Sequence, residues 1–323
     1  MTTSSITLRI TLACAALIGV VLQGLPVTGF AQSLPANQPE MSAATEHDET
    51  NPSIALKGSV WRAKPGIVFL KTPVGLLTLS SKTLLKDMRA SQSVSFWIHG
   101  PSMVVEIRKR ADDSLLHRYL TGPVAKNQGD AKDLVLWTPE GETSFHSGTH
   151  DAQLSALRDG DPVTVEVDDT GTVIGVHDLQ FDLQIGQVPA SGSEAHVLLS
   201  GTVSKLKSNF IFFRTPVGVI NVNAKIGIKN AKVGQTMTLH VHRHSVVADL
   251  MPANGTAPVR RFITGPLAFS TTERTGVKLW TPDGEQTFPS DRGKATLAGA
   301  KEGSPITVEL NGEGTVVDFH RLN

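Results

Sequence analysis

The sequence has one cysteine, Cys14, and it falls inside the first apolar run. With that run removed no thiol is left. This excludes disulfides, thiolate metal sites, covalent c-type haem and a cysteine nucleophile together. Aromatic residues are scarce at 5%, so each of the four tryptophans is worth locating. An excess of one charge is lacking as well, since 30 Lys and Arg balance 30 Asp and Glu. No net field gathers phosphates or anionic lipids, and nucleic acid is not expected as a partner. Catalytic signatures are also missing: there is no Gly-x-Ser-x-Gly, no His-Glu-x-x-His, no phosphate loop and no EF-hand ligand series. The reading is therefore a non-enzyme.

The N-terminal segment reads as an export signal over residues 1–31. Arg9 is its one charge, Ile10 to Leu22 is apolar, and Gly29-Phe30-Ala31 places small residues before Gln32. The apolar run falls short of the roughly 20 residues a membrane span needs. Cleavage before Gln32 is expected, with an uncleaved anchor as the alternative, and the chain is expected to be periplasmic or secreted. Residues 32–54 are rich in Pro, Ser, Asn, Gln and Glu, and read as a disordered leader. Past the signal, no hydrophobic stretch is long enough for a stable transmembrane segment.

An internal repeat dominates the rest. Shifted by 143 residues, Phe69 to Gly75 falls on Phe212 to Gly218, and Arg118 to Pro123 falls on Arg261 to Pro266. Leu136 to Glu142 likewise falls on Leu279 to Glu285. A repeat of this quality is read before anything else. Within each half a second repeat begins with Gly-x-Val/Leu at Gly58, Gly122, Gly201 and Gly265. Each start is followed by Thr-Pro-x-Gly: Thr72-Pro73-x-Gly75, Thr138-Pro139-x-Gly141, Thr215-Pro216-x-Gly218 and Thr281-Pro282-x-Gly284. Proline presets φ for a tight turn and glycine takes the left-handed position after it, so these are structural hairpin turns.

Each unit reads as short strands with a helical insert, placed at Lys82 to Arg89 in the first and Ala152 to Arg158 in the second. Five strands with a helix between the third and fourth is the order of an OB-like barrel. The Gly-x-Val starts and the Gly160-Asp161-x-Val163 approach to a strand resemble exported bacterial OB-like small β-barrel repeat domains of unknown function. The resemblance brings no activity with it. The expected fold is all-β: four tandem OB-like small β-barrel units arranged as two duplicated two-unit domains. The first domain spans 55–179, with units at about 55–112 and 116–179. A flexible linker occupies 180–196. The second domain spans 197–323, with units at about 197–255 and 259–323.

Few side chains remain as functional candidates. Glu140 with Glu142, and Asp283 with Glu285, flank turn glycines and are expected to be solvated. Trp61 and Trp97 suit a binding face, with Ser204 and His240 at their places in the second half. Trp137 and Trp280 match each other and read as packing. The strand Met237 to Val241 alternates, which puts His240, His242 and His244 on one face at period two. His146 and His150 form a looser pair.

Three readings follow. The leading one is an exported non-catalytic binding or scaffold protein of the cell envelope, its partner another envelope protein or a glycan. The second is a periplasmic protein that binds a divalent transition metal through His240, His242 and His244. The third is an enzyme with an inter-domain site. The signal reading has its own check: intact-mass determination on exported protein should give a chain beginning at or near Gln32. A Met1 start in that fraction contradicts it.

Overall fold

A computed structural model describes residues 51–83, 85, 88–126 and 133–322. The expected signal peptide and most of the leader lie outside these residues. The chain is all-β, 58% strand and 7% helix, with large sheets. Among the described residues no helix is long and apolar enough to cross a membrane.

The first half runs β1 (Ser53–Lys64), β2 (Ile67–Thr72), β3 (Gly75–Ser80), β4 (Ser93–His99), β5 (Ser102–Arg108) and β6 (Leu115–Pro123). It continues with β7 (Ala125–Lys126), β8 (Asp133–Thr138), β9 (Gly141–His146), α1 (Asp151–Ser155), β10 (Pro162–Val167) and β11 (Val173–His177). Then comes β12 (Gln180–Ile185). The second half opens with β13 (Ala195–Lys207), β14 (Phe210–Thr215), β15 (Gly218–Asn223), β16 (Thr236–His242), β17 (Ser245–Met251) and β18 (Arg260–Pro266). It ends with β19 (Ala268–Phe269), β20 (Gly276–Thr281), β21 (Gly284–Pro289), α2 (Lys294–Leu297), β22 (Pro305–Asn311) and β23 (Val316–Arg321).

β1 pairs with β2 and with β4, and β13 pairs with β14 and with β16. Both long strands are bulged at the same place, between Val60 and Arg62 and between Val203 and Lys205. A bulge leaves its extra residue unpaired, and in the first half that residue is Trp61, 53% exposed. The strand β1 begins at Ser53, so the last two residues assigned to the leader are already in the sheet. No helix forms among the described residues of the Lys82 to Arg89 stretch.

The stretch expected to be a flexible linker starts as a strand. β12 runs antiparallel to β3 from Gln180↔Ser80 to Ile185↔Gly75, and parallel to β15 through Gln184↔Asn221 and Ile185↔Val222. Its polar composition hides a period-two pattern in which Leu183 and Ile185 are fully buried. The ends of β1 and β13 also pair with each other, from Ser53↔Leu198 to Leu56↔Ala195.

These contacts change the expected domain division, because residues 47–323 form one compact unit. One core cluster draws on β1 to β6 and on β12 to β18 together, with Leu56, Phe96, Leu183, Phe213 and Leu239 all fully buried in it. Two smaller cores belong to the later part of each half, around Leu120, Leu136 and Val165, and around Ile263, Leu279 and Val308. The strands β5 and β6 serve two cores at once: Val105 and Tyr119 face the shared core, Val104 and Leu120 the smaller one. No boundary therefore falls between residues 112 and 116; that stretch is the β5–β6 hairpin.

In all four Thr-Pro-x-Gly turns the threonine hydroxyl donates to the glycine carbonyl, at 3.0, 2.8, 2.9 and 2.8 Å. The four glycines have φ of 147°, 118°, 124° and 107°. Only Gly75 is also crowded: a Cβ there would stand 2.2 Å from the Gln184 carbonyl of β12, whereas the other three face open space. Replacing any of the four with valine should cost about 1–3 kcal/mol of backbone strain. Gly75→Val should lose more, since β12 must also shift. Denaturant unfolding of the four variants checks the order, and equal losses at Gly75 and Gly218 contradict it.

Candidate ligand-binding cleft

The β1–β13 pairing makes one continuous run of strands, β4, β1, β13 and β16. One face packs on the shared core through Ile54, Val197, Leu239 and Val241. The opposite face carries two rows of side chains. Register places Trp97, Ala55, His196 and His242 side by side in the first row. His99, Ser53, Leu198 and His240 form the second.

A cleft of about 640 Å³ lies over this face. Its lining includes Ser53, Ala55, Trp97, His196, Leu198, His240 and His242, with Trp280 and Pro282 from the small sheet of β20. Trp280 stacks on His242 with ring centroids 4.7 Å apart and meets His240 edge-on at 5.1 Å. Trp137 stacks on His99 in the same way at 4.9 Å. Each stack fastens a small sheet to the large one, so Trp137 and Trp280 are interface-packing residues. His196 stands edge-on to His240 and His242, with centroids 5.5 and 6.5 Å away.

Exposed groups complete the rim. Lys57 Nζ donates to Glu194 Oε2 at 2.9 Å, which holds that carboxylate below its ordinary range. Arg243 lies at the tip of the β16–β17 hairpin with φ of 53°. His244 is the next residue of that turn, outside the strand, and the expected face of three histidines is therefore not formed. Strand alternation carries His240 and His242 only; the chain reverses before it reaches His244. Among the described residues no group of three or more His, Cys, Asp and Glu side chains is arranged to hold a metal ion. His196, which sequence reasoning passed over, joins the pair instead. Its only signal was alternation within β13; its neighbours come from a pairing invisible in the local sequence.

Two of the turn carboxylates, Glu140 and Asp283, lie in ion-pair networks that reach the large sheet. Arg118 bridges Glu106 at 3.1 Å and Glu140 at 2.9 Å, tying a β8–β9 tip to β5 and β6. Arg261 grips Asp249 through two hydrogen bonds and lies 4.0 Å from Asp283 in the second half. Besides Glu106, which is itself buried, two further buried glutamates were not anticipated. Glu166 accepts from His117 at 2.7 Å and His177 at 3.2 Å; Glu309 pairs with Arg260 and with His320 at 2.7 Å. Each links three neighbouring strands, and such a buried carboxylate persists only when paired. Burial beside Glu166 pushes the Tyr119 phenol well above its ordinary range. His146 contacts Asp133 and is not among the residues that line the cleft.

No family model matches the chain, and no curated protein matches it.

Burial lowers the pKa of His242, and the nearby Arg243 and His244 lower it further. The unfolded chain therefore binds more protons at this site just below the ordinary histidine range, and stability from His242 falls as pH falls through it. His242→Asn should flatten that part of the stability curve between about pH 7 and 5. Urea unfolding of both proteins across the range checks this; a steeper fall in the variant contradicts it.

Proposed function

We propose that the chain is an exported, non-catalytic binding protein of the cell envelope whose ligand lies in the cleft over the β1–β13 seam. The observation that carries this reading is a ring-lined cleft at the junction of the two halves whose floor is built from paired strands. Sites on such elements hold their geometry without ordering cost. The chemistry of the lining favours binding over catalysis. Glu194 is the one carboxylate there, and it is exposed and paired with Lys57. A carboxylate acting as general acid or base needs a dry, pKa-shifting setting within reach of the substrate. The imidazoles of the cleft, the other candidates, pack against one another and against Trp280. A transition metal is not part of the proposal, since His244 is on a turn.

In the same reading the fold derives from four OB-like units. The pairings of β1 with β2 and β4, β2 with β3, and β4 with β5 follow that order. The strands β6, β8, β9, β10 and β11 repeat it, with α1 between β9 and β10. Tandem duplication then explains why the cleft lies on an approximate two-fold seam, where β1 and its counterpart β13 pair in matching register.

A thermal-shift screen over envelope glycan fragments and small metabolites tests the function. A true ligand at a hundredfold its Kd contributes about 2.7 kcal/mol, several degrees for a domain of this size. The expected result is a shift by one compound class in wild type that disappears in Ala55→Phe, a variant that fills the cleft. Shifts by no class, or shifts retained in a folded Ala55→Phe, overturn the reading.

A further inference from the structure

The repeat makes each residue of the cleft floor comparable with its counterpart 143 positions away. Trp97 corresponds to His240, Ala55 to Leu198, Ser53 to His196 and His99 to His242. The second half fills its share of the floor, and Leu198 is only 5% exposed. The first half has instead put its two smallest residues, Ser53 and Ala55, in the middle, beside its largest, Trp97. Symmetry is broken on the floor of the cleft itself.

The consequence is a slot of defined width. In the first row Trp97 and His196 stand on either side of Ala55, two strand spacings apart. That separation is about 10 Å between backbones, with side chains rising roughly perpendicular to the sheet. A ring seated above Ala55 needs about 3.5–4 Å to each neighbouring surface, and the slot therefore has room for one flat ring. A puckered, thicker ring meets closer contacts on both sides. Trp97 is itself braced by packing against the smaller first-half core, so this wall is preset.

Charge narrows the chemistry. Lys57 and Arg243 against Glu194 leave one positive charge in excess at the rim, before any imidazole is protonated. The floor offers Ala55 and Leu198 as apolar contacts and imidazole nitrogens as hydrogen-bonding groups.

We propose that the slot between Trp97 and His196 takes a planar aromatic anion, its ring over Ala55 and its charge toward Lys57 and Arg243. This rests on the binding reading above and names the ligand class. The ring would stack on an indole and an imidazole, and the anion would meet the only cationic excess at the rim.

The test is quenching of tryptophan fluorescence by three probes on the intact chain: 2-naphthoate, cyclohexanecarboxylate and 2-naphthamide. 2-Naphthoate should quench saturably, with 2-naphthamide weaker and cyclohexanecarboxylate without effect. Trp97→Ala should weaken 2-naphthoate about tenfold, and Ala55→Phe should abolish binding with the far-ultraviolet circular dichroism and cooperative unfolding of the wild type retained. Arg243→Gln, on an exposed turn, should weaken 2-naphthoate and leave 2-naphthamide alone. Absence of saturable 2-naphthoate quenching overturns the proposal, as does equal binding to Ala55→Phe. A neutral glycan that binds and is lost in Ala55→Phe, with 2-naphthoate inert, overturns the planar anion and leaves the binding cleft standing.

Discussion

The antiparallel pairing of β1 with β13 is the constraint on which the rest of the structure depends. Each strand already hydrogen-bonds a partner from its own half, and their free edges meet over four residue pairs. An unpaired strand edge is a liability that a protein must cover or pair, and here the repeat covers its own. Once the strands join, the apolar faces behind them close on one another, and one core forms where two small ones were expected. β12 completes the enclosure by running between β3 and β15 on another side.

A shared core also explains the unusual burial of the inner strands. Ser102 to Ile107 is buried at every position, as are Val246, Val247 and Ala248, because successive side chains point into different cores. A unit of about 60 residues is marginal alone, and joining cores lets each strand be used twice. The cleft follows from the same pairing. Its floor is the outer face of the four joined strands, and the small sheets of each half stand beside it, held by the His99–Trp137 and His242–Trp280 stacks.

Much of the local structure was legible in the sequence. Period-two alternation in Met237 to His242 placed the buried and outward residues correctly, and proline with glycine marked each hairpin tip. What composition concealed was long-range pairing. Residues 180–185 look polar enough for a linker, yet Leu183 and Ile185 are fully buried in the shared core. No local pattern says that β1 will find β13, so neither His196 nor Ala55 stood out as part of a site. The histidine face was overextended for the opposite reason: alternation was carried through Arg243, where the chain takes positive φ and turns. Glu166 and Glu309 were missed because their histidine and arginine partners come from separate strands.

The central claim is that both halves fold around one core, and native-state hydrogen exchange after a single core truncation tests it most directly. Phe213 lies in the second half, is fully buried, and belongs to the shared cluster. Truncating a buried phenylalanine to alanine costs about 3–5 kcal/mol. With one core, Phe213→Ala should lower protection by the same factor in the slowest amides of β2 and β4 as in those of β14 and β16. Loss of protection confined to β13–β16, with β2 and β4 exchanging at the wild-type rate, would show two independent halves and contradict the account.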